Sequence, residues 1–72
     1  MTPDIIERWA ADSEANGHYL QASDEWVEAA ERHKIEHDWT AAERCARSAA
    51  AALDRWADQL ANANFAPPTK TN

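Results

Sequence analysis

Apolar positions recur at helical spacing along most of the chain. Ile5, Ile6, Trp9, Ala10 and Ser13 repeat at three and four residues, which places them on one face of a helix. Before them stand a threonine suited to the N-cap, a proline suited to the first helical position and an acid suited to the positive helix end: Thr2, Pro3 and Asp4. Asn16-Gly17 supplies the stop, because glycine takes the left-handed cap conformation without steric cost. A first helix is expected over 3–16. A second is expected over 24–37, with Ser23 as its N-cap, Asp24 and Glu25 in its first turn and a stripe of Trp26, Ala29, Ala30 and His33, with Val27 at one margin. Tyr19 and Leu20 fit either a connector or an N-terminal extension of this second helix.

The third pattern is the longest. Trp39, Ala42, Ala46, Ala49, Leu53, Trp56, Leu60 and Ala63 are spaced alternately by three and four, an unbroken heptad seam. It predicts a helix over 39–64, and a seam this narrow implies one dominant helical partner. Thr40-Ala41-Ala42-Glu43 fits a capping box at its start. Pro67-Pro68 cannot continue a helix, so a disordered tail is expected over 67–72. The expected fold is all-α: a small three-helix domain over 1–66, with the long heptad-patterned C-terminal helix as spine and the two shorter helices packed on it. Arg8-Trp9-Ala10 recurs as Arg55-Trp56-Ala57, and Ala29-Ala30-Glu31-Arg32 recurs as Ala41-Ala42-Glu43-Arg44, but matches this short in an alanine-rich chain do not make a repeat architecture.

Composition changes this picture in one respect. Of 72 residues, 17 are alanine and only 15 are larger apolar residues. A domain this small buries about 60 % of the surface its unfolded chain exposes, so its own core stabilises it only marginally. A helical homo-oligomer is therefore expected, paired along the seam. No apolar run approaches the roughly 20 residues of a membrane span. No basic-then-apolar segment resembles a signal peptide, and a cytoplasmic protein is expected. One cysteine excludes an internal disulfide framework, and one glycine excludes a phosphate-cradling loop.

Charge is distributed unevenly. The chain carries −6 in total, but residues 1–31 hold eight acids against Arg8 alone, net −7, whereas residues 32–72 are net +1. A net negative chain is repelled by phosphate backbones, so direct nucleic-acid binding is not expected. A protein partner with a basic surface is. Asp24, Glu25, Glu28 and Glu31 beside Trp26 form the candidate partner-binding stripe, combining long-range attraction with an aromatic anchor.

Candidates for chemistry are few. His33 and His37 are four apart, and His33-Lys34-Ile35-Glu36-His37 matches an H-x-x-E-H metalloprotease pattern formally. Two imidazoles on one helix face hold a zinc only with further ligands, and the scaffold of such an enzyme is missing, so the pair stands as a runner-up metal site and no metal or other cofactor is expected. Cys45, between Arg44 and Arg47, is expected as a small buried apolar residue rather than an activated thiol. No residue set assembles a catalytic site, and an enzyme is not expected. The four tryptophans divide between core and interface. The expected function is a small acidic interaction module that binds and modulates another protein, as compact inhibitors and phage anti-defence or regulatory proteins do. The alternatives are a structural homo-oligomeric subunit and a metal-binding helical protein using His33 and His37.

Overall fold

The computed structural model describes residues 1–70, with side chains through Ala63. The chain forms three helices, α1 (Pro3–Ala15), α2 (Tyr19–Ile35) and α3 (Trp39–Lys70), and the described residues contain no strand. α1 lies where its pattern put it, with Pro3 in the first helical turn and Pro3, Ile6, Ala10 and Ser13 buried. Thr2 is extended at the N-cap but makes no side-chain capping bond.

α2 begins five residues earlier than its capping signal suggested. Ser23 is not a cap: it is buried in the helix, and His18 holds the N-cap position. The reason is the turn before it. Gly17 has φ +77°, His18 N–H donates to the Ser13 carbonyl (2.8 Å) and Gly17 N–H to the Glu14 carbonyl (2.9 Å). This Schellman closure satisfies the last carbonyls of α1 and delivers the chain straight into the next helix. Tyr19 and Leu20 are thus helical.

The same closure recurs twenty residues later. Asp38 N–H donates to the His33 carbonyl and His37 N–H to the Lys34 carbonyl, both at 2.9 Å, with His37 at φ +62° in the place of glycine. α2 therefore stops at Ile35, short of the expected 37, and His37 lies outside it. α3 is capped by Asp38, whose Oδ1 accepts the Ala41 N–H (3.2 Å), not by the box at Thr40. α3 continues past the expected end at 64, to Lys70. The tail expected over 67–72 lies beyond the last described side chain, and 71 and 72 lie outside the described residues altogether.

Packing corrects the expected spine. α2 is the shared partner of α1 and α3, whose backbones scarcely approach each other. The core runs through Ile6 and Ala10 of α1, Ala22, Trp26, Ala29 and Ala30 of α2, and Cys45, Ala49 and Ala52 of α3. Only two of its fully buried side chains, Ile6 and Cys45, are larger than alanine. Small residues let helix axes approach closely, so this core gains from backbone proximity what it lacks in side-chain bulk. Further along α3, Gln59 Nε2 donates to the Gly17 carbonyl (3.0 Å) and the Arg55 guanidinium lies 5.8 Å from the Tyr19 ring centre, tying α3 to the first turn.

The seam on α3 is split. Ala42 and Ala49 are buried and Trp56 is half-buried, but Trp39, Ala46, Leu53, Leu60 and Ala63 are exposed. The stripe that faces α2 is Ala42, Cys45, Ala49, Ala52 and Trp56, again spaced three and four. The buried face of α3 is thus rotated from the expected seam, so that the smaller residues point inward.

Candidate functional site

Three features compete for function: a polar junction where the helices converge, the acidic face of the N-terminal half, and the exposed edge of α3.

The junction is centred on Glu7, at the margin of the buried face of α1. Its Oε1 accepts from Arg44 Nη1 (2.9 Å), and its Oε2 accepts from Arg44 Nη2 (3.1 Å) and from His33 Nε2 (2.5 Å). One carboxylate thus joins all three helices. The paired Arg44 donors, with His33 and the Cys45 thiol adding to them, outweigh the cost of burial and hold the Glu7 carboxyl at about 2. The same ion pair raises Arg44 above its ordinary range. Cys45 responds oppositely: burial, then the neighbouring carboxylate, pushes its thiol up to about 11. Arg44 does not offset this, so Cys45 is a protonated core residue without nucleophilic character.

Glu7, His33 and Cys45 bring an oxygen, a nitrogen and a sulfur within 4.8 Å of one another, a donor set that zinc accepts. Their present engagement does not suit an ion. Arg44 already occupies both Glu7 oxygens. A metal on His33 Nε2 would also require Nδ1 to carry the proton and find an acceptor, the support that ligating histidines almost always have. His33 Nδ1 is buried without any hydrogen-bond partner. The cluster fits a hydrogen-bonded clamp better than a metal centre. The runner-up pair does not share a helix face: His33 is buried in α2, while His37 lies in the turn beyond it, its ring centre 6.0 Å from that of Trp39.

The predicted acidic stripe is only partly free. Glu25 accepts from Ser13 Oγ (2.8 Å) and Gln21 Nε2 (3.3 Å). Glu28 pairs with Arg32 and Glu31 with Lys34, each at 3.5 Å on the surface. Asp24 is exposed. Trp26 cannot be the anchor, because it is buried between the helices, its Nε1 without a partner. The exposed large apolar residues of this half are instead Met1, Ile5 (43 %), Trp9 (44 %), Leu20 and Val27.

On the other side, Val27 and Ala30 of α2 meet Trp39, Ala42 and Ala46 of α3 along an open groove of about 390 Å³, with Glu31, Lys34 and Glu43 at its rim. Trp39 is 60 % exposed there.

Sequence reasoning missed Glu7 and Arg44. The available signal was weak: Glu7 borders the apolar positions Ile6 and Ala10, and His33 lies on the apolar stripe of α2. Nothing in a single sequence connects positions 7, 33 and 44. No helix of the described residues is long and apolar enough to cross a membrane. No family model matches the chain, and neither a curated protein nor a solved structure matches it.

Proposed function

We propose that this chain is a small acidic interaction module that binds another protein through its N-terminal half and modulates it by covering a basic surface. The observation that carries the reading is the coincidence of charge and exposed anchors. Residues 1–31 hold net −7, and the same segment exposes Ile5, Trp9, Leu20 and Val27. Carboxylates steer a basic partner from a distance, and a half-exposed tryptophan supplies a contact that can be desolvated. Trp9 takes the role first given to Trp26. At the junction, the buried, high-pKa thiol and the fully engaged Glu7 offer neither a nucleophile nor a base, which favours a binding role for this chain. A cytoplasmic setting fits the single unpaired thiol.

The test is partner capture followed by kinetics. Glu28→Lys with Glu31→Lys should slow association with the captured protein and flatten its salt dependence, with circular dichroism unchanged. Trp9→Ala should speed dissociation. Unchanged rates in both variants, across salt concentrations, would place the contact elsewhere. A second reading, a structural homo-oligomeric subunit, draws on the apolar edge of α3.

A further inference from the structure

We propose that α1 is a hinged lid: it turns about Asn16-Gly17, is latched by Glu7, and lifts from a standing α2–α3 pair to open His33 and Cys45 to solvent. α1 is held by little. Its 13 residues bury Pro3, Ile6, Ala10 and Ser13, so Ile6 is its one large aliphatic anchor. On the half nearer the turn it stands off from α3: Ala11, Glu14 and Ala15 line an open cleft of about 390 Å³ together with Ala51 and Arg55. Among the described residues, the one ion pair between α1 and α3 is that of Glu7 with Arg44. α2 and α3, by contrast, share Trp26, Ala29, Ala30, Cys45, Ala49 and Ala52 in the core. A segment with few buried contacts opens at lower free energy than the core it covers.

The pivot is built separately from the lever. Gly17, at φ +77°, sits where glycine moves without steric cost, so it can absorb a change of backbone direction. The chain around it is pinned to α3: Gln59 Nε2 donates to the Gly17 carbonyl (3.0 Å), and the Arg55 guanidinium lies 5.8 Å from the Tyr19 ring centre. α1 can therefore swing while the start of α2 stays in place. The bonds it gives up there, from Gly17 and His18 to the Glu14 and Ser13 carbonyls, are ones that water can replace. Beneath the latch, polar atoms of Glu7, His33 and Cys45 lie within 4.8 Å of one another, and Cys45 is 0 % exposed. The closed state also carries a penalty. His33 Nδ1 is buried without a partner, and access to water removes the cost of leaving such an atom unpaired. Closure thus gives back part of what the Glu7 bonds contribute, which leaves the lid poised to open. The lid does not rest on the partner-binding reading, which concerns the charge and exposed residues of the N-terminal half.

Cys45 is the only cysteine of the chain, so its modification by an aromatic disulfide reagent reads the opening of this site alone. In the full chain the modification rate should rise with urea far less steeply than global unfolding does, because a lifted α1 exposes only part of the surface that unfolding exposes. Hydrogen exchange read by mass spectrometry should show residues 3–15 exchanging as one group, while α2 and the part of α3 around Cys45 stay protected. Glu7→Gln should speed modification about tenfold and keep the shallow dependence on urea, since it removes the charge from the latch. Modification that follows global unfolding, with the same steep dependence on urea, overturns the lid. So does exchange in which α1 is as protected as α2. If instead the first turns of α3 exchange while α1 stays protected, Cys45 is reached by fraying of α3 and the lid is again overturned. A Glu7→Gln rate equal to that of the parent removes Glu7 as the latch. The first three outcomes are read on the unsubstituted chain, so a variant that fails to fold does not shelter the proposal. No partner enters any of these measurements, so the lid and the partner-binding reading fail separately.

Discussion

The two long faces of α3 carry the same period and opposite contents. Toward α2 stand Ala42, Cys45, Ala49 and Ala52, all buried; the other face carries Trp39, Ala46, Leu53 and Leu60, all exposed, the first two at the edge of the groove with α2. A hydrophobicity count alone would send the larger set inward. The molecule does the reverse because α2 presents Trp26 and His33 to the interior, and a helix of small residues fits against them at close range. The inner face has its contacts within the chain, and the outer face leaves its apolar side chains exposed. In an 8.1 kDa chain with so few large buried side chains, the inner face depends on close fit and on the Glu7 clamp rather than on bulk.

The strongest way to break the inner face is through that clamp. Glu7→Ala leaves His33 without its acceptor and frees Arg44, and should cost about 3 kcal/mol in urea denaturation. Acid acts on the same group. Its carboxyl is lowered from an ordinary 4.5 to about 2, so its contribution is complete above pH 4.5 and is lost as pH falls toward 2. Glu7→Gln should therefore be less stable than the parent at pH 7, with the gap closing toward pH 2. A gap that stays constant with pH would detach Glu7 from acid stability.

Adjacent residues test the contrast between faces directly. Ala49→Leu overfills a closely packed contact and should cost about 2 kcal/mol. Ala50→Leu, one residue on, should change stability by less than about 0.5 kcal/mol. Both are measured by denaturation at low protein concentration, where association does not contribute. Equal effects would mean that α3 is rotated from the orientation described.

The two turns sharpen the comparison by a smaller margin, since the second fixes which face of α3 meets α2. At Gly17 an added Cβ would meet only Gln59 Nε2 at 3.7 Å, so Gly17→Ala should lose about 1 kcal/mol from its φ of +77° alone. His37 holds the equivalent position at φ +62°, and His37→Gly should gain about 0.5 kcal/mol even after losing the ring contact with Trp39. Thermal melts of the two variants should move in opposite directions. The smallest stability effect belongs to Glu28→Lys with Glu31→Lys, whose exposed pairs are worth less than about 0.5 kcal/mol each, so their melting temperature should barely move.

Local chemistry was legible in the sequence wherever short-range rules act alone. The all-helical class, the span of α1, the glycine at its end and the helical character of α3 follow from spacing, propensity and turn residues, which neighbouring positions determine. Two local readings failed to a stronger neighbour. Ser23 and the Thr40 box are sound capping sequences, but the Schellman turns at Gly17 and His37 start the next helix sooner, because closing the last carbonyls of one helix also fixes the start of the next. Only the tertiary structure decided the rest. Periodicity cannot say which side of a stripe finds a partner, so Trp26 went inward and Trp39 outward. Nor can it join positions 7, 33, 44 and 45, which are distant in sequence and meet because α1 and α3 both pack on α2. The clamp and the open edge of α3 are both products of that arrangement, set by how closely alanine-lined helices pack rather than by any one segment.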